Sequence, residues 1–93
     1  MKIKTPEEGM LAQSVQGRDC GRFYVILEVS GGNFVTVADG TARPLENPKK
    51  KNVKHLRLLP RNIFREGVAR DKSFNVRTAH ILKELAEKVK SED

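Results

Sequence analysis

Two apolar runs, Phe23–Val29 and Phe34–Ala38, are separated by only Ser30-Gly31-Gly32-Asn33, and this spacing constrains the chain more than any other feature. Glycine accepts the positive φ that a tight turn needs, so the two runs are expected to return on one another as a β-hairpin. Along the first run, Phe23, Val25, Leu27 and Val29 share one face at period two, opposite Tyr24, Ile26 and Glu28. The all-apolar set is expected to face the core. In the return strand Val35 and Val37 alternate with Phe34, Thr36 and Ala38.

Further short strands flank this hairpin. Met10–Val15, entered through Gly9, reads as a preceding strand, and Asp39-Gly40 is a second turn signal leading to a short edge segment at 41–43. Pro44 and Pro48 bracket a loop that runs into Lys49-Lys50-Lys51. "VKHLRLL" then reads as a fifth strand, with Leu56 and Leu58 inward, His55 and Arg57 outward, and Pro60 closing it. Strands this short and few do not bury a face as a flat sheet, which predicts a sheet curled into an SH3-like or OB-like barrel. Its expected interior is Val25, Leu27, Val35, Val37, Leu56 and Leu58.

Residues 61–72 connect this segment, 1–60, to a C-terminal helix within 73–93, all in one domain. The connection holds one candidate helical turn around Ile63 and Phe64. Asn75 is placed to cap the helix, which runs to about Lys90 with Ala79, Leu82, Leu85, Ala86 and Val89 as an apolar stripe. A helix of about 15 residues is marginal alone in water, so the stripe is expected to dock on the barrel.

The chain has 93 residues and a formal charge of +6. A domain this short buries only about 60 to 65% of the surface its unfolded form exposes, which argues against a large enclosed active site. The charge is unevenly placed. Residues 1–40 carry four Lys/Arg against five Asp/Glu, residues 41–72 ten against three, and residues 73–93 four against four. A basic block of this kind is an electrostatic footprint for a polyanion, and it lacks the amphipathic apolar face of a membrane-surface helix. Nucleic acid is therefore the expected partner, with no membrane association. No apolar stretch approaches the ~18 residues of a membrane span. Cys20 is the only cysteine, and the N-terminal residues lead into no apolar leader-like run, so a cytoplasmic monomer is expected.

The candidate contact residues follow from the charge. Arg18 and Arg22 bracket a turn flanked by Gly17 and Gly21, where guanidinium groups can meet phosphates. Arg43, Lys49, Lys50, Lys51, Lys54 and Arg57 can converge on one edge of a small barrel, and His55 can stack on a base. Tyr24 and Phe34, on the outward faces, can stack unpaired bases but serve at least as well as cover for the docked helix. Asp19 and Asp39 read as turn residues. Cys20 has no arranged base, two scattered histidines do not make a metal set with it, and there is no phosphate-binding glycine loop. Neither enzymatic activity nor a cofactor or metal is expected.

Gly9, Ala12, Gly17, Asp19, Gly21, the apolar alternation of Phe23–Val29, and Val37 with Asp39-Gly40 together resemble the KOW motif of ribosomal proteins and transcription elongation factors. The nearest likeness is to the KOW domain of the eukaryotic and archaeal type of large-subunit ribosomal protein and its small bacterial relatives. "NPKKKNVKHLRLL" resembles the basic return strand that follows the motif, and the likeness spans Gly9 to Leu59. It implies an SH3-like barrel over an OB-fold, and binding to structured RNA, typically ribosomal RNA, on or near the ribosome and its proteins. A KOW barrel that docks on a protein of a transcription or translation complex is the alternative.

Overall fold

A computed structural model describes residues 5–91, without the side chains of Lys90 and Ser91. Residues 1–4 of the expected barrel segment and 92–93 of the expected helix lie outside the described residues. The chain is mostly β. Five strands, β1 (Met10–Ser14), β2 (Phe23–Val29), β3 (Phe34–Ala38), β4 (Lys49–Asn52) and β5 (Leu56–Asn62), form one antiparallel sheet, followed by the helix α1 (Phe74–Ser91). The order across the sheet is β4-β3-β2-β1-β5, so the apolar run at Phe23–Val29 supplies the central strand. The expected hairpin closes where the Ser30 N–H donates to the Phe34 carbonyl at 3.0 Å.

The two edge strands are joined by only a 3₁₀ turn, Val53–His55. In a flat sheet, strands at opposite edges would lie about 19 Å apart, from a spacing of about 4.8 Å per strand. The chain from Asn52 to Leu56 reaches at most about 14 Å. The sheet must therefore curl strongly. Burial agrees: Met10, Ala12, Tyr24, Ile26, Val35, Val37 and Leu56 form a buried cluster to which α1 contributes no residue, so the curled sheet itself has to cover this inner face. On the outer face Leu11, Val25, Leu27 and Ala38 pack with Ile63, Val68 and the helix residues Phe74 and Leu82.

The expected interior is thus divided between two cores. Val35, Val37 and Leu56 face inward with Leu58 packed beside them, but Val25 and Leu27 lie under the helix. Ile26 pairs with Val37 across the β2–β3 ladder, and a bulge between Ile26 and Glu28 shifts the alternation, leaving Val29 47% exposed. Tyr24, placed outward from the sequence, is 2% exposed. Because both faces of β2 are covered, its period-two pattern does not say which side is the inner face of the curled sheet. Ile26→Val is expected to cost about 1 kcal/mol in a urea titration; no change would mean that Ile26 does not sit in a packed core.

Local chemistry accounts for the remaining departures. Segment 41–43 is not a strand, because the Asp39 carboxylate accepts the Thr41 and Arg43 N–H groups at 2.9 Å each and holds a turn. The lysine triplet is not a loop but the edge strand β4. Residues 53–55 are a 3₁₀ turn, and β5 continues through Pro60, which an edge strand tolerates because one side of its backbone needs no partner. Around Ile63 the chain makes turns rather than a helix, with the Val68 N–H returning to the Ile63 carbonyl at 3.1 Å.

Asn75 is not the helix cap. The Ser73 carbonyl accepts from the Arg77 N–H, and Asp71 holds Ser73 through its N–H and hydroxyl. Asn75 instead accepts from the Leu45 N–H at 2.8 Å and donates to Glu46. The helix docks on its own sheet through Phe74 and Leu82, with Ile81 and Leu85 partly covered, while Val89 is 42% exposed. At Gly40, with φ +82°, a Cβ would collide with the Asn75 carbonyl, so only glycine lets the helix approach this turn. No helix among the described residues is long and apolar enough to cross a membrane.

Candidate nucleic-acid interface

The glycine-flanked segment between β1 and β2 is a closed loop. Ser14 holds both its ends: its N–H donates to the Arg22 carbonyl at 2.8 Å, and its carbonyl accepts from the Gly21 N–H at 2.7 Å. Gly17 and Gly21, at φ +91° and +96°, supply the two reversals that a side chain would strain. Between them Asp19 turns inward while Arg18 and Cys20 stay exposed, as does Arg22 just after Gly21.

Four side chains donate to the Asp19 carboxylate. Ser14 Oγ lies at 2.8 Å and Lys51 Nζ at 2.9 Å from Oδ1, and Tyr24 Oη at 2.7 Å and Lys49 Nζ at 3.2 Å from Oδ2. The β3–β4 register makes this possible. Lys49 and Lys51 pair with Val37 and Val35, which puts both on the inner face, whereas Lys50 pairs with Thr36 on the outer side. Asp19 therefore reaches from the β1–β2 loop to the edge strand β4. The loop's central carboxylate thus pins it to the sheet, with Arg18 and Arg22 exposed on either side.

Burial pushes the Asp19 carboxyl up, but the hydrogen bonds from Lys51, Tyr24, Ser14 and Lys49 together outweigh it and hold the group far below the usual carboxylate range. Burial and the adjacent Asp19 push the Tyr24 hydroxyl well above its ordinary value. The lowered Asp19 pKa fixes the sign of its acid response. The stability it contributes is complete above its ordinary value of 3.8 and is lost as the pH falls through that value toward the lower folded one. Chemical denaturation from pH 7 to pH 2 is expected to show a steeper loss below about pH 5 in the wild type than in Asp19→Asn. Parallel curves would contradict this role.

Of the nine candidate residues, Lys49 and Lys51 are thus committed internally, and Lys51 is 8% exposed. The cations Arg18, Arg22, Arg43, Lys50, Lys54 and Arg57 form no ion pair among the described residues. Farther along, Arg61, Arg65 and Arg70 are neutralised by Glu66, Glu7 and Glu8. Pairing therefore removes part of the basic block and leaves these six positions uncompensated. The structure brings some of them together. Arg57 pairs with Gln13, which pairs with Phe23, so Arg57 lies one strand away from the start of β2 beside Arg22. His55 is half-buried, and its carbonyl accepts from the Val15 N–H at 2.9 Å, which sets the 3₁₀ turn carrying Lys54 and His55 against the base of the Arg18 loop.

Two others stand apart. Lys50 lies on the outer side of β4 with Nζ 4.7 Å from the centre of the 40% exposed Phe34 ring, and Arg43 is half-buried in the turn after β3. Asp19 is the organising residue that sequence reasoning assigned to a turn alone. Its partners Ser14, Tyr24, Lys49 and Lys51 are all donors, but reading the link from the sequence required knowing that the triplet is a strand. No protein-family model matches the chain, and no curated protein matches it.

Proposed function

We propose that the chain is a small SH3-like, KOW-type barrel that binds structured RNA, ribosomal RNA or a ribosome-associated RNA first among them, mainly through its phosphates. The observation that carries this reading is that six of the candidate cations, Arg18, Arg22, Arg43, Lys50, Lys54 and Arg57, on the anchored loop, the turns and the strands around it, form no ion pair among the described residues. Cations held uncompensated on rigid elements favour a polyanion, since each releases counterions on meeting a phosphate. The barrel reading is supported by the short link between the edge strands, by the helix-free inner core and by the Asp19 bridge to β4.

In this reading Arg18 and Arg22 supply planar forks for backbone phosphates, Lys50, Lys54 and Arg57 supply point and fork contacts beside them, and His55 offers a ring for an unpaired base. Ultraviolet crosslinking in cells, followed by sequencing of the attached RNA, is expected to recover mainly ribosomal RNA. Recovery of no RNA, with the chain retained in a transcription or translation complex, would replace this reading with the protein-docking one.

A further inference from the structure

A groove of about 520 Å³ runs between α1 and the start of β2, within the range of roughly 300–1,000 Å³ typical of small-ligand sites. Its lining is mostly apolar, with Phe23 on the sheet side and Leu82 and Ala86 on the helix, while Arg22, Lys83 and Asp39 bring charge to it. Arg22 and Lys83 form no ion pair among the described residues. Asp39 is half committed: its Oδ1 accepts from Thr41 N–H, Thr41 Oγ and Arg43 N–H, and its Oδ2 has no hydrogen-bond partner among the described residues. An apolar slot with an aromatic wall, two unpaired cations and one open carboxylate oxygen does not match a purely apolar ligand. The carboxylate also disfavours an acidic peptide.

We propose that this groove takes one unpaired nucleotide of the bound RNA, and a guanosine in preference to other bases. The inference rests on the RNA-binding reading, because Arg22 belongs both to the groove and to the phosphate surface. A base extruded from a helix would lie against Phe23 and Leu82, with its phosphates between Arg22 and Lys83. The open Asp39 oxygen accepts only, so it suits the N1–H and N2–H donors that guanine alone presents together on its Watson–Crick edge, and it opposes the N1 acceptor of adenine.

The test uses three RNA hairpins identical except for one bulged guanosine, one bulged adenosine or no bulge, titrated against the full chain by fluorescence anisotropy. The guanosine bulge is expected to bind about tenfold more tightly than either of the others, a size set by stacking and edge recognition of one base. Ala86→Trp, which fills the groove, should remove that preference while leaving the unbulged hairpin bound as before. Asp39→Asn keeps Oδ1 as acceptor for the turn and replaces the open oxygen with a donor, so it should equalise the two bulges without a loss of thermal stability. Equal binding of all three hairpins by the wild type, or a preference that survives in both variants, overturns the groove assignment. If binding is then still strongly salt-dependent, the RNA reading stands without it; if no hairpin binds, both fall.

Discussion

Asp19→Ala is expected to destabilise the fold by about 3–5 kcal/mol, because it strips from Lys51 its only acidic partner among the described residues, and the Lys51 ammonium is as buried as the carboxylate it meets. The cost is not the worth of the ion pair itself. It is the cost of leaving an ammonium and the hydroxyls of Tyr24 and Ser14 facing a vacated site. Replacing both charges tests that distinction: Asp19→Leu combined with Lys51→Met should recover the share of the loss owed to the unpaired ammonium, since an apolar pair of similar volume needs no desolvated partner, while the Tyr24 and Ser14 hydroxyls still lack their acceptor. Denaturant titration of the two variants is the measurement. A change below about 1 kcal/mol for Asp19→Ala would mean that the loop is not tied to β4 by this carboxylate.

The same network decides how RNA contact has to be probed. Reversing all three lysines of β4 to glutamate would put a carboxylate at position 51 beside Asp19, and would confuse unfolding with lost binding. Arg18, Lys54 and Arg57 are exposed and form no ion pair among the described residues, so Arg18→Glu, Lys54→Glu and Arg57→Glu together should leave the melting temperature nearly unchanged. Near 0.1 M salt each lost phosphate contact removes a little under one power of ten of counterion-driven affinity. The triple variant is therefore expected to bind structured RNA roughly 10²–10³-fold more weakly, and broadly across RNA sequences, because phosphate contacts position without reading bases.

How far the sequence reaches can be judged residue by residue. The hairpin was legible because alternation and a double-glycine turn are local signals, and β3 begins and ends where its apolar pattern does. The two faces of β2 were not, since Phe23, Tyr24, Val25, Ile26 and Leu27 are apolar on both sides and each side has its own cover. The strand at Lys49–Asn52 was hidden by composition: three lysines read as solvated, and only a distant carboxylate makes an inward lysine affordable. Pro60 argued for a strand end, yet an edge position removes the penalty. For the candidate site, residue types were legible and pairing was not. Sequence marks Lys51 and Lys50 alike, whereas the register buries one and exposes the other.

The salt dependence of binding to a structured RNA hairpin tests the central claim most directly. With about six phosphates met by Arg18, Arg22, Arg43, Lys50, Lys54 and Arg57, the logarithm of affinity plotted against the logarithm of salt concentration should fall with a slope of roughly −4 to −5, and with a slope two to three shallower, by rough estimate, in the Arg18, Lys54 and Arg57 triple variant. A flat response in the wild type, or identical slopes in the two proteins, would contradict phosphate binding by this surface.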